Sequence, residues 1–252
     1  MHDGAVTRRR FTEVICGAAA SLALGTACDA RAQRDSDARI AARPRPGVKT
    51  HGSGTQPLGL DGRRDAVLHL PRDTSDPLPL LVLLHGAGGS GANMLRRIVR
   101  FSDDAGIAVL APDSRAATWD VIRGTFGPDI RFIDRALERV FETVAVDPAR
   151  ITVGGFSDGA SYAISVGLQN GDLFRRVLAW SPGFYVGGPA QGRPRFFVSH
   201  GTADTILPID RCSRVIVPAL TNQGYEVTFR QFDGGHEIPP HLASEGLRWA
   251  AE

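Results

Sequence analysis

The chain has 252 residues, 42% of them hydrophobic and 22% charged, with a net charge of +2. That composition suits one domain of about 200 residues, a size that buries roughly 70% of its unfolded surface, together with a tail. Basic residues crowd toward the N-terminal end, which leaves the rest without the basic face that nucleic acid requires, and no Cys/His spacing suits a structural zinc site.

Residues 1–32 read as an export signal. Thr7-Arg8-Arg9-Arg10-Phe11 matches the S/T-R-R-x-F core of a bacterial twin-arginine signal, and Val14–Ala27 is a short run of apolar and small residues. A bilayer core of about 30 Å needs about 20 helical residues, so this run is too short for a permanent anchor. Two exits are legible. Gly25-Thr26-Ala27-Cys28 resembles a lipobox, in which Cys28 becomes a lipidated N-terminus and anchors the protein to a membrane. Ala30-Arg31-Ala32 offers A-x-A cleavage instead. Either exit leads to the periplasm or cell envelope. Residues 33–51, rich in Arg, Ala, Pro and Asp without periodicity, are expected to be a disordered linker. Residues 52–252 form the expected folded domain.

Within that domain, Asp61-Gly62 between Thr55–Leu60 and Asp65–Leu70 signals a hairpin. Short apolar runs then alternate with helical patterns. The runs are Leu80–Leu84, Ile107–Ala111, Ile151–Gly155, Val177–Trp180, Phe196–Ser199 and Glu226–Phe232. The helical stretches are Asn93–Ala105, Ile130–Val144, Ser157–Gln169, Ser213–Gln223 and His241–Ala251. Continuous apolar strands separated by helices predict an α/β fold, a mostly parallel sheet covered on both faces, entered through an antiparallel hairpin. No insertion is long enough to form a cap domain.

Reactive groups in such sheets gather at the carboxyl ends of the strands, and three of those ends carry chemistry. Gly155-Phe156-Ser157-Asp158-Gly159 has the G-x-S-x-G pattern of a nucleophile elbow, where a sharp strand-to-helix turn presents a serine and the flanking glycines avoid a clash. Phe196–Ser199 runs into a loop with Asp204, and Glu226–Phe232 into a loop with His236. A serine hydroxyl becomes a nucleophile when an imidazole takes its proton, and a carboxylate fixes the tautomer of that imidazole. Ser157, Asp204 and His236 are therefore the expected triad. Asp210 reads as a cap for the next helix and His241 as an exposed first-turn residue. After the early strand, His85-Gly86-Ala87-Gly88-Gly89-Ser90-Gly91 supplies an oxyanion loop, with donors expected from the Ala87 and Asp158 amides. His85 reads as a buttress for that loop. Trp119, Trp180, Phe184 and Tyr185 follow strand ends and are candidates for an acyl pocket, or equally for core packing. Gly86, Gly88 and Gly91 with Asp113 also satisfy a dinucleotide fingerprint, a reading that leaves the serine, aspartate and histidine loops without a role.

With these residues assembled, the chain resembles the α/β-hydrolase superfamily, in particular the predicted esterases that include phospholipase/carboxylesterases and polyhydroxybutyrate-depolymerase-like enzymes. The resemblance rests on Leu81–Gly91, Asp147–Gly159, His200–Pro208 and Gly234–Pro240, and spans about Asp65–Glu252. It implies that residues 52–252 are a catalytic domain hydrolysing carboxylic esters through an acyl-enzyme, with no metal or organic cofactor. Asp158 stands where many carboxylesterases have glutamine. The absence of a lid favours short to medium acyl chains, on small-molecule or accessible polymeric esters. An α/β-hydrolase peptidase would use the same residues, and a non-catalytic binding protein is a third reading.

Overall fold

The structure, a computed structural model, describes residues 38–72 and 77–252. The expected export signal, Cys28 and residues 33–37 lie outside the described residues. Eight strands form one sheet: β1 (Gly54–Pro57), β2 (Ala66–Leu70), β3 (Leu78–Leu84), β4 (Ala108–Pro112), β5 (Val146–Phe156), β6 (Arg176–Trp180), β7 (Arg195–Gly201) and β8 (Val227–Phe232). Their spatial order is β1-β2-β4-β3-β5-β6-β7-β8. β1–β2 and β2–β4 pair antiparallel, and every later pairing is parallel. Among the described residues, five α-helices follow the pattern expected from the sequence: α1 (Gly91–Ala105), α2 (Pro128–Thr143), α3 (Asp158–Gln169), α4 (Ser213–Asn222) and α5 (Pro240–Ala251).

Strand β3 shows why the sheet needs cover on both sides. All seven of its residues are buried. Leu80, Val82 and Leu84 join one apolar cluster with α2 and α3, while Leu81 and Leu83 join another with α1 and α5. Successive side chains point to opposite faces, so an unbroken apolar run is stable only between two helical layers. β5 begins at Val146, earlier than its apolar run. Leu78 pairs with Val146, the register shifts, and regular pairing resumes at Leu80 and Ile151. Asp147 accepts the Ala149 N–H at 2.8 Å within that irregular stretch, which polar composition alone does not distinguish from a loop.

Helix α1 has Ser90 as its N-cap, accepting the Asn93 N–H at 3.3 Å, and Gly106 closes it with φ 63°. Such a left-handed closing residue suits glycine best. Helix α3 is different: every residue from Gly159 to Gln169 is buried. It lies against the centre of the sheet, and its N-terminus meets the ends of β3 and β5. The chain crosses from β3 outward to β4 and then returns to β5 on the other side of β3. That reversal opens a crevice at the carboxyl ends of the strands.

The linker expected at residues 33–51 does not hold for residues 38–51. Ile40 is 1% exposed, and its N–H donates to Asn170 Oδ1 at 2.8 Å, while Asn170 Nδ2 donates to the Ala38 carbonyl at 2.7 Å. Arg39 and Arg43 reach Asp172 at 2.8 and 2.6 Å. Hydrogen bonds from Arg39 hold the Asp172 carboxyl down to about 2. The Ala41 and Ala42 amides donate to Asp134 at 2.9 and 2.8 Å. Two buried apolar residues, Ala38 and Ile40, and borrowed polar partners order this strap, and neither leaves a periodic trace in the sequence.

Candidate active site

Strand β5 ends at Phe156, and Ser157 takes φ 58° and ψ −121° before α3 begins. A non-glycine residue there carries backbone strain of order 1–3 kcal/mol, sustained by its surroundings. The surroundings are tight. A Cβ on Gly155 would lie 2.6 Å from the Leu84 and Gly159 carbonyl oxygens, and one on Gly159 would lie 2.3 Å from the Leu84 oxygen. Only glycine fits at either position. The Ser157 N–H donates to the Trp180 carbonyl at 2.9 Å, and the Ser157 carbonyl accepts from Ala160 and Ser161, so the turn is tied on both sides.

The loops after β7 and β8 bring the other two groups to this serine. His236 Nε2 lies 2.9 Å from Ser157 Oγ, and His236 Nδ1 lies 2.6 Å from Asp204 Oδ2. A ring bonded in this way donates from Nδ1 to the carboxylate and offers the Nε2 lone pair to the hydroxyl proton. Phe156 packs on the other side of the imidazole, with ring centroids 4.7 Å apart. Asp204 is buried, which alone would raise its carboxyl. The Leu207 N–H, His236 and the Ile206 N–H outweigh burial and hold it below the usual carboxylate range. His241 is exposed on the first turn of α5. Asp210 pairs with Arg214 at 2.6 Å and caps nothing, since it sits in the short 3-10 turn Ile209–Arg211.

The loop after β3 runs beside the serine, and a Cβ on Gly86 would stand 3.4 Å from the Ser157 Cβ. His85 anchors that loop. Its Nδ1–H donates to the Gly86 carbonyl at 2.7 Å, and its Nε2 accepts the Ser114 N–H at 3.0 Å. Burial lowers its pKa, so the ring that buttresses the loop is neutral. Gly88 N–H donates to the Ala117 carbonyl at 2.7 Å. Among the described residues, the amides of Ala87 and Asp158 donate to no protein acceptor. Both flank the serine, and Asp158 lies at the positive N-terminal end of α3.

The four candidate pocket aromatics divide. Trp119 and Trp180 are fully buried. Trp119 stacks on Tyr162 at 5.1 Å and donates to the His85 carbonyl at 2.8 Å, behind the oxyanion loop. Trp180 packs in the opposite layer, against Gly246 of α5. Both are taken up in the core, Trp119 from the loop after β4 and Trp180 as the last residue of β6. Phe184 and Tyr185 are half-buried in the loop after β6. Asp113 is also accounted for without a nucleotide. Its carboxylate accepts the Gly91 N–H at 2.7 Å, and a Cβ on Gly91 would stand 2.0 Å from the Ala111 carbonyl oxygen.

Three contacts were missed by sequence reasoning. Thr118 donates to Asp158 Oδ2 at 2.5 Å and so ties the loop after β4 to the residue following Ser157. Ser161 and Ser165 accept the Gly183 and Val186 amides, both at 2.9 Å, and staple the loop after β6 to α3. Serines 157, 161 and 165 recur at one-turn spacing, a signal that could have been read as one polar stripe facing the site.

Comparison with known proteins bears on this arrangement. No family model matches the chain. Feruloyl esterase C of Emericella nidulans is 26% identical over 237 residues, covering 78% of this chain and 87% of that protein. Among solved structures, an S-formylglutathione hydrolase of Staphylococcus aureus superposes with TM-score 0.64 at 17% identity, over 82% of this chain and 100% of that one. A truncated carbohydrate esterase from gut microbiota gives TM-score 0.65 at 15% identity, over 82% and 97%. The fold is that of the α/β-hydrolases, and the chain is a carboxylic ester hydrolase. In this α/β-hydrolase the acid and histidine loops follow the last two strands, and the serine follows the central β5.

Proposed function

We propose that Ser157, His236 and Asp204 are the catalytic triad of this esterase and that it works through an acyl-enzyme. Ser157 Oγ attacks the ester carbonyl carbon as its proton passes to His236 Nε2. Asp204 keeps the ring oriented and stabilises the imidazolium that forms. The tetrahedral oxyanion accepts N–H bonds from Ala87 and Asp158, donors that are typically worth about 2.7–4 kcal/mol each in the barrier. His236 then gives its proton to the leaving alcohol oxygen as the C–O bond breaks. Water, deprotonated by the same ring, attacks the acyl-serine and releases the acid. The observation that carries this reading is the pair of distances, 2.9 Å from Oγ to Nε2 and 2.6 Å from Nδ1 to Oδ2.

The substrates we propose are esters of short to medium acyl groups. Residues 181–194 connect β6 to β7 without a helix, so no lid folds over the site there. The Emericella nidulans relative is named for feruloyl esters, and a planar aromatic acyl group of that length falls within the same range. Export to the periplasm or cell envelope is the proposed location, on the twin-arginine pattern of Thr7–Phe11. A fluorophosphonate probe should label the wild-type enzyme and leave Ser157→Ala unlabelled; equal labelling of the two removes Ser157 from the mechanism. Among nitrophenyl esters and methyl ferulate, turnover should peak at or below medium chain length, and a preference for sixteen-carbon chains would refute the open-cleft reading.

A further inference from the structure

Asp204 is bonded by more than the triad. Its Oδ1 accepts the Ile206 and Leu207 amides at 2.9 and 2.8 Å, and its Oδ2 accepts His236. A second imidazole, His200, brings Nε2 to 3.2 Å from the same Oδ2. His200 is fully buried at the end of β7. Its Nε2 also lies 2.7 Å from the Leu207 carbonyl, and its Nδ1 lies 2.7 Å from Ser213 Oγ at the start of α4.

These partners fix the tautomer. A carbonyl oxygen only accepts, so the proton is on Nε2, forked between Leu207 O and Asp204 Oδ2. Nδ1 then accepts the Ser213 hydroxyl proton. Burial, with the charge of His236 adding, keeps His200 in its neutral form against the opposing pull of Leu207 and Asp204. The other titratable group at hand is the Cys212 thiol, which burial and the Asp204 charge push up to about 11, so it stays uncharged. One N–H thus does two jobs. It closes the acid loop by holding its far end at Leu207, and it occupies a lone pair of the oxygen that orients the catalytic ring.

We infer that His200 is a positioning residue that acts through Asp204, dividing Oδ2 between two imidazoles and thereby setting how strongly the carboxylate holds His236. The inference rests on the triad reading proposed above. It extends the hydroxyl–imidazole–carboxylate line by two buried members, His200 and Ser213, that never touch substrate.

The test compares two polar replacements. In His200→Gln the carboxamide N–H reaches the position of Nε2 and can still serve Asp204 and Leu207. In His200→Asn the shorter side chain reaches only the level of Nδ1. The net worth of a hydrogen bond to a charged group corresponds to about 10–100-fold in rate, so His200→Asn should lose at least about tenfold in kcat with KM little changed. Its acid limb in the kcat/KM profile should move to higher pH, because an Oδ2 freed from His200 binds the protonated His236 ring more strongly. His200→Gln should return both quantities most of the way to wild type. Rates are normalised to sites titrated with fluorophosphonate, which counts only folded enzyme. Coincident acid limbs in Asn, Gln and wild type overturn the inference, as does an equal displacement in both variants. A wild type that fails to titrate breaks the triad reading instead. If His200→Asn does not fold, Ser213→Ala is the second variant. It leaves Nδ1 without its donor, and an unmoved acid limb there counts against the inference.

Discussion

Asp204 on one loop and the pair Asp120 and Asp129 on another are all buried, and burial treats them alike while their partners do not. After β7, Asp204 is held below its ordinary pKa because backbone N–H groups and an imidazole donate to it. After β4, Asp129 is pushed up to about 6, chiefly by burial, with the nearby Asp120 charge adding and the Arg115 and Asp120 amides opposing. Asp120 and Asp129 accept backbone amides across the loop, including Gly127 to Asp120 at 2.8 Å and Asp120 to Asp129 at 2.6 Å. The Tyr162 hydroxyl is buried beside these carboxylates, and burial together with the Asp120 and Asp129 charges pushes its pKa up. Each braces its own loop by accepting backbone amides. A carboxylate that meets a proton-exchanging partner serves chemistry, whereas one that meets a second carboxylate serves a turn.

The sharpest way to break this contrast is through the proposed triad. Ser157→Ala should lower kcat by about six orders of magnitude, and Ser157→Ala/His236→Ala should lose little more, because groups acting as a unit do not add. Additive losses in a double-mutant cycle would separate the serine from the histidine. Asp204→Asn should cost about 10⁴-fold, since an amide in place of the carboxylate favours the wrong tautomer. Asp120→Asn, by contrast, can still accept the Gly127 and Asp129 amides, and its turnover at pH 7 should stay within a few-fold of wild type, a difference resolved by parallel kcat/KM measurements. Thr118→Val removes only the tether to Asp158. A net hydrogen bond worth about 1 kcal/mol corresponds to about fivefold in rate, to be read in kcat on a neutral nitrophenyl ester.

Stability against pH gives the subtlest separation. Because Asp129 titrates at about 6 when folded and 3.8 when not, the native state binds the extra proton between those values. Stability therefore falls as pH rises across that window, by up to about 3 kcal/mol. Asp204 has the opposite sign: its contribution is present above the unfolded value and is lost as pH falls through its depressed folded value. Asp120→Asn removes the like charge beside Asp129 and should flatten the decline between about pH 4 and 6, as measured by the thermal midpoint.

Much of the architecture was legible because strands buried on both faces must be apolar throughout, as β3 is, and because the elbow needs glycine at 155 and 159. The order of serine, acid and histidine loops followed from those strand ends. What escaped has physical causes too. The strap at residues 38–51 is ordered by Ile40 and by partners more than 90 residues away, which local pattern cannot reveal. Trp119 and Trp180 were candidate pocket residues because they follow strands, yet the direction of a side chain after a strand depends on the turn. Thr118 bonds Asp158 from the loop after β4, and His200, near the end of β7, lies 3.2 Å from Asp204; neither contact follows from a local pattern.

The strap has a geographical consequence. Helix α3 begins at the serine and ends at Gln169, about 18 Å away for a helix of 12 residues. Arg39 and Ile40 fasten to Gln169, Asn170 and Asp172 at that far end. The polypeptide therefore joins the body of the enzyme at the pole opposite its reactive rim. A pull transmitted through Ala38 would load the far end of α3 first and spare the strained turn at Ser157.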